Sequence, residues 1–474
     1  MKRICNRVLA MGVGSWILGT CLSVAAEASA GHGDAACLAD MLAGTGDRPA
    51  TLVISRPCRV DRDLTVPSRI QLLFRRGGRL VIEEGVSLEI EGAIDAGLWQ
   101  LFAGPGRVTG QPDITGVYPQ WFGAAGDGRH DDTAAIQKAI DFAHGALCRC
   151  LFPARPYRIT DSLLVRSGAN HHLEQLGPGH ELKIAHRMGL IWDGAGDRAM
   201  IEVHRVKFST IRGFTLFGER TPGVMGLRFR DPEKTTRAIK GNRIESIRIR
   251  GCAVGLQIGD YSRDGNHSNC DDNIWSEIHT YDTLTSIVMD ARAIDDNWFT
   301  NLHFSSGFRQ LPGDWGNERS HVIHIKRSGT GTVFRNLFFR GDNVTDSAIC
   351  VEDGDVRFDS VNAEGGGNRC LFMEVTHKTS RGPIVLTDIR FVNYKNADGV
   401  CIDSSFRNGF NLVGCHVSGD VRVDGIATAL GVVFEGEHGF VAASEDTVIH
   451  DLSSFARSRP GAPVNRVLSP APAP

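Results

Sequence analysis

Apolar residues recur along this chain in short alternating bursts rather than in long helical runs. Seven segments share one shape, a polar or small residue followed by apolar–x–apolar or a near variant. They are Thr210-Ile211-Arg212-Gly213, Ser246-Ile247-Arg248-Ile249, Glu277-Ile278-His279-Thr280, Asn301-Leu302-His303-Phe304, Asn336-Leu337-Phe338-Phe339, Ser360-Val361-Asn362-Ala363 and Asp388-Ile389-Arg390-Phe391. Their starts lie about 24 to 36 residues apart. Alternation with period two marks a strand with one buried face. Most are followed by a second short strand, such as Gly255-Leu256-Gln257-Ile258 or Val322-Ile323-His324-Ile325, through Gly, Asn and Asp turns. No helical pattern intervenes, so stacked coils fit better than βαβ units. A coil repeat also accounts for 474 residues without several globular domains. Further strand patterns at 52–54, 70–74, 80–82, 88–90 and Ile94 make residues 31–116 an N-terminal β module or the first coils.

One helical pattern stands out between Tyr118 and Asp141. Gly126-Asp127-Gly128 is a turn signal. Asp131, Asp132 and Thr133 are N-cap residues, placed where the helix dipole favours negative charge. Ala135, Ile136, Ala139, Ile140 and Ala143 then share one helix face. Next come Cys150-Leu151-Phe152-Pro153-Ala154-Arg155-Pro156-Tyr157-Arg158-Ile159, which reads as a strand, and the glycine turn Leu176-Gly177-Pro178-Gly179. This text resembles the start of the pectate-lyase-like, tailspike-like group of right-handed parallel β-helix proteins, polygalacturonase-like and epimerase-like members included. The resemblance is specific over about 118–180. It departs at Arg155-Pro156, where the group usually has a single glycine. It implies an all-β right-handed parallel β-helix, a solenoid with a short N-terminal α-helix, and carbohydrate polymers as the substrate class. It also implies an architectural role for Asp127, Asp131 and Asp132. It does not imply a reaction, because fold does not fix chemistry. The helix is expected to lie over an open end of the solenoid, where strand edges need cover.

Residues 1–30 read as a secretory leader: Lys2, Arg3 and Arg7, an apolar stretch, then Ala28-Ser29-Ala30 before Gly31. The chain is therefore expected to be secreted or periplasmic. Residues 117–453 would form the β-helix, and 454–474, rich in proline, a disordered tail. The formal charge is −3, and near −5 without the leader. That balance argues against nucleic acid as a partner. No later stretch is apolar enough to span a membrane. The oligomeric state is open between monomer and trimer. Ten of the 12 cysteines follow the leader. Export permits disulfides, with Cys37–Cys58 the favoured pair. Cys148 and Cys150 are too close for an easy mutual bridge. Interior cysteines can stack as small hydrophobes. No Cys-x-x-Cys or linear Cys/His cluster occurs, so no metal ligands are assigned.

Strand alternation supplies the candidate chemistry. If Ile278, Thr280, Leu302 and Phe304 point inward, one outward column reads Arg248, His279, His303, Phe338, Asn362. Its neighbour reads Arg250, Tyr281, Ser305, Arg340, Glu364. Such a set suits β-elimination at a uronic acid. His279 or His303 would be the base, Tyr281 the acid and Arg340 the ligand of the sugar carboxylate. Arg248, Arg250, Trp315, Lys326 and Glu364 are substrate-binding candidates. Three alternatives stand beside this reading. A glycoside hydrolase would use the paired aspartates Asp271/Asp272 or Asp295/Asp296. The plain reading of those pairs is that Asp and Asn hold turns through their own backbone. A uronate C5-epimerase shares the proton chemistry. A non-catalytic glycan-binding surface protein needs no reacting groups. His324-Ile325-Lys326 faintly resembles the Arg-Ile-Lys of polygalacturonase-type hydrolases, whose other signatures are missing. Calcium is a possible ligand of Asp260, Asp264, Asp271 and Asp272. Trp275, Trp298 and Trp315 serve as sugar platforms or as core.

Overall fold

The computed structural model describes residues 24–26, 38–166, 168–177, 187–232, 239–260, 269–291, 294–306, 320–327, 329–341, 347–365, 370–376, 383–392, 394, 399–405, 409–435, 439–444 and 447–451. It is a right-handed parallel β-helix, and every strand pairing described is parallel. Residues 50–109 are coils of the same kind. Ala50–Ile54 pairs with Ile70–Phe74, Pro57–Val60 with Arg79–Ile82, and Leu64–Val66 with Ser87–Ile90. Val24–Ala26, inside the stretch read as a leader, extends the first of these sheets. The prolines of the tail, and Cys37 of the expected disulfide, lie outside the described residues; Cys58 is buried.

Two helices interrupt the strands. Helix α1 (Leu38–Thr45), which the strand-rich pattern of 31–116 concealed, packs against the strand Pro57–Val60. Helix α2 (Thr133–Gly145) is the expected one. It buries Ile136, Ala139, Ile140, Phe142 and Ala143. It rests on the strands Arg149–Phe152 and Leu163–Val165 at the start of the main stack and also touches Arg107–Thr109 of the preceding coils, so it lies between coils rather than over an open end. The aspartates act architecturally but not all as caps. Asp132, at the N-cap position, makes no side-chain cap bond; it accepts from the backbone N–H of Ala125 and Gly126 at 2.6 and 3.0 Å. Its carboxylate thus clamps the preceding glycine turn. Asp131 accepts from the N–H of Thr133 at 3.0 Å, and Asp127 from those of Arg129 and His130.

In the main stack each coil passes through a long sheet of 20 strands and a second sheet of 11. The repeating polar residue ahead of apolar–x–apolar has a structural cause. Ser246, Glu277, Asn301, Asn336, Ser360 and Asp388 all take φ between 52° and 58°. This left-handed residue bends each passage through the long sheet into two arms, such as Ile274–Ser276 and His279–Tyr281. Left-handed backbone costs a side-chain-bearing residue about 1–2 kcal/mol, less for Asn and Asp. Glu277→Gly is therefore expected to raise stability by up to ~1 kcal/mol. A urea midpoint that falls instead would show that the Glu277 carboxylate, which accepts from Ser246 Oγ at 2.5 Å, outweighs the strain.

Two inner ladders hold the first arms in register. Asn242, Asn273 and Asn297 stack with amide-to-amide hydrogen bonds of 2.9 and 3.1 Å. Trp275, Phe299, Phe334 and Phe358 stack nearly parallel, with centroid spacings of 5.5, 4.4 and 4.9 Å. Cys150, Cys252, Cys270, Cys370, Cys401 and Cys415 belong to the apolar core, as expected of interior cysteines.

Candidate functional site

The second arm of the bend carries the candidate site. Ile278 and Thr280 are buried, and the Thr280 hydroxyl bonds Ser286 Oγ at 2.7 Å. His279 and Tyr281 must then face outward. Backbone bonds from His279 N–H to Ile247 O (2.9 Å) and from His303 N–H to Ile278 O (3.1 Å) seat consecutive coils. The register is the expected one in both columns. Arg248, His279, His303, Phe338 and Asn362 are successive partners, as are Arg250, Tyr281, Ser305, Arg340 and Glu364.

His279, Tyr281 and His303 come together as a half-buried trio. Ring centroids are 5.6 Å apart for His279–His303, 5.8 Å for Tyr281–His303 and 6.5 Å for His279–Tyr281. Phe338 closes the trio on one side, edge-on to His303 at 4.9 Å. Arg248 stands one coil away on the other side, next to His279. Burial, then the charges of Arg248 and His303, hold His279 below the ordinary histidine value. Burial alone lowers His303. Burial raises the Tyr281 phenol, against the pull of Arg248. At neutral pH the site thus presents unprotonated imidazoles and a protonated phenol, the forms required of a base and an acid.

Other expected residues divide. Arg340 and Glu364 are exposed and continue the second column beyond Ser305. Arg250 lies in its place, but its guanidinium is engaged by Asp282 at 3.0 and 3.1 Å, a partner the column reading overlooked. Lys326 does not join the strip. It lies on the second sheet, in the strand Ile323–Arg327, where its charge acts on Asp290. Trp315 lies outside the described residues. Trp275 is core, its indole N–H donating to Asn297 Oδ1 at 3.1 Å, whereas Trp298 is 45% exposed under Arg335.

The aspartates pair between coils, not along the chain. Asp272 and Asp296 occupy left-handed positions that turn them away from their chain neighbours. Asp272 meets Lys240 at 2.8 Å. Asp295 accepts from the N–H of Thr330 at 2.6 Å. Asp271 is half-buried, and burial followed by the adjacent Asp295 charge raises its pKa. The calcium set is not assembled among the described residues. Asp260 is buried 3.8 Å from Arg228, Asp272 is neutralised by Lys240, and Asp264 lies outside them. A cavity of about 510 Å³ lies elsewhere, lined by Phe102, Lys138, His144, Arg166 and His171 beside α2.

No protein-family model matches the chain, and no curated protein matches it. Solved structures do. The open reading frame 18 protein of Geobacillus virus E2 is 15% identical over 72% of this chain and 62% of its own, with a TM-score of 0.47. The Dettilon tailspike protein is 14% identical over 70% of each chain, with a TM-score of 0.43. The A-module of mannuronan C-5 epimerase AlgE4 from Azotobacter vinelandii is 14% identical over 71% of this chain and 99% of its own, with a TM-score of 0.34. The likeness is one of fold. This chain spans about three fifths of the length of the Geobacillus virus protein. Among the described residues, no helix is long and apolar enough to cross a membrane.

Proposed function

We propose that this chain is an exported carbohydrate-active enzyme that cleaves a uronic-acid polysaccharide by β-elimination on the His279–Tyr281–His303 strip. The observation that carries this reading is the trio itself: two imidazoles and one phenol with ring centroids within 6.5 Å of one another, flanked by Arg248, on adjacent coils. Arg248 neutralises the sugar carboxylate, which acidifies the neighbouring C5–H. His279, beside Arg248, takes that proton. The electron pair forms the C4–C5 double bond as the C4–O bond breaks. The departing oxygen takes the proton of Tyr281, and solvent restores it. His303, packed between both rings, positions them. Arg340 and Glu364 meet the neighbouring sugar.

The test is to incubate purified protein with a panel of acidic polysaccharides while following ultraviolet absorbance of unsaturated products and, in parallel, reducing ends. Absorbance rising with reducing ends supports elimination. Reducing ends without absorbance would move the chemistry to hydrolysis. That second reading rests on Asp271, whose pKa is raised by burial and by the neighbouring Asp295 charge, as suits one member of a general acid and base pair. Asp271→Asn would then lower release of reducing ends by roughly 10²-fold or more.

A further inference from the structure

The second sheet carries an outward column that reads Glu202, Arg228, Gln257, Val288, His324, Cys350, Glu374 in successive partners. Its neighbours along each strand point inward: Ile323, Ile325, Ile349 and Val351 are fully buried. His324 and Cys350 therefore face away from the solenoid core. Cys350 is nonetheless only 5% exposed, and unlike the seven buried cysteines packed into the contiguous apolar cluster it lies outside that cluster. His321, just before the strand Ile323–Arg327, is 2% exposed, and its ring lies 4.7 Å from that of His324. One donor atom from each of His321, His324 and Cys350 falls within 4.8 Å of the others.

The hydrogen bonds fix the tautomers. His321 Nδ1 lies 2.8 Å from the Ser347 carbonyl oxygen, which can only accept, and 3.2 Å from the Ser347 hydroxyl, which can do either, so the closer contact places the proton on Nδ1. His324 Nε2 lies 2.6 Å from Glu352 Oε1, a carboxylate oxygen in the accepting role. In these tautomers the ring lone pairs are on His321 Nε2 and His324 Nδ1. An imidazole that donates one N–H to a carbonyl or carboxylate and offers its other nitrogen is the usual arrangement around a bound metal. Two imidazoles and a thiolate select a borderline-soft divalent ion over calcium or magnesium.

We propose that His321, His324 and Cys350 bind one zinc-like divalent ion, with solvent in the fourth position and Glu352 and the Ser347 carbonyl orienting the rings. Ligand atoms around tetrahedral zinc are about 3.3–3.7 Å apart, and the three donor atoms already lie within 4.8 Å of one another, so binding needs them to close by no more than about 1.5 Å. The Cys350 thiol gives its proton to solvent as the metal–sulfur bond forms. The linear sequence hides this group, because His324 and Cys350 sit on separate coils.

The test uses the full-length mature protein without a histidine tag, stripped with chelator and titrated with Co²⁺ and then Zn²⁺. One equivalent of Co²⁺ should produce thiolate-to-cobalt charge-transfer absorption that Zn²⁺ abolishes. Cys350→Ser should remove that absorption, His324→Gln should weaken binding at least tenfold, and the core control Cys415→Ser should leave both unchanged. Added Zn²⁺ should raise the thermal midpoint of the parent protein and not that of His324→Gln. If Cys350→Ser does not fold, His324→Gln decides, because its side chain is partly exposed and outside the core. Absence of charge transfer in the parent, or its survival at full stoichiometry in His324→Gln, would overturn the proposal.

Discussion

Tyr281→Phe should lower the elimination rate by roughly 10²–10⁴-fold, the usual worth of a positioned general acid. The change removes one oxygen from a half-buried ring and leaves the packing against His303 at 5.8 Å intact. KM and the urea midpoint should therefore change little. His279→Ala should cost a similar factor. The pH profile distinguishes the two roles. His279 acts unprotonated, and its pKa is held below 6.5, so the rate should persist as pH falls through 6.5 and fail only lower. Tyr281 acts protonated, and its pKa is held above 10, so no alkaline loss should appear up to that pH. Tyr281→Phe should keep the acid limb of the parent. Stability follows the same sign: burial of neutral His279 and His303 has its full effect above pH 6.5, and is lost as pH falls through their lowered values. Parent-like rates in both variants would remove the strip from the chemistry.

The second large effect is on stability. Phe334 is fully buried between Phe299 and Phe358, at 4.4 and 4.9 Å. Phe334→Ala should cost about 3–5 kcal/mol, from lost burial and the cavity left behind. It also removes two aromatic contacts of about 0.5–1.5 kcal/mol each. In a stack where each coil touches only its neighbours, that loss falls on one interface. Urea unfolding should then separate into two transitions, one for each side of the weakened coil. Phe334→Leu, which keeps most of the volume, should restore a single transition. A midpoint within error of the parent's for Phe334→Ala would mean that the aromatic stack is not what couples the coils.

The outward columns were legible because the second arm alternates strictly from the bend onward: Ile278 in, His279 out, Thr280 in, Tyr281 out. The first arm was not. The left-handed residue resets alternation, so Trp275 and Ile278 both point inward with two residues between them. A reading by period two therefore isolates one arm and leaves Trp275 undecided between core and sugar platform. The same bend logic hid the aspartates. Asp271 meets Asp295 of the next coil because Asp272 is turned by its own positive φ. Arg250 showed its place but not its engagement, since Asp282 lies in the turn beyond the strand. Lys326 went astray because residues that resemble a motif say nothing of which sheet holds them.

The bend also sets where this architecture can change. Between Glu277 and His279, Asn301 and His303, or Asn336 and Phe338, the interval is always two residues, whatever the length of the coil. Chain can be added or removed only at the other corners of each turn. Those corners border the strip without interrupting it. Under the proposed function, new segments can therefore be exchanged around a fixed strip, and evolution or design can alter what is held there without disturbing the alignment of His279, Tyr281 and His303.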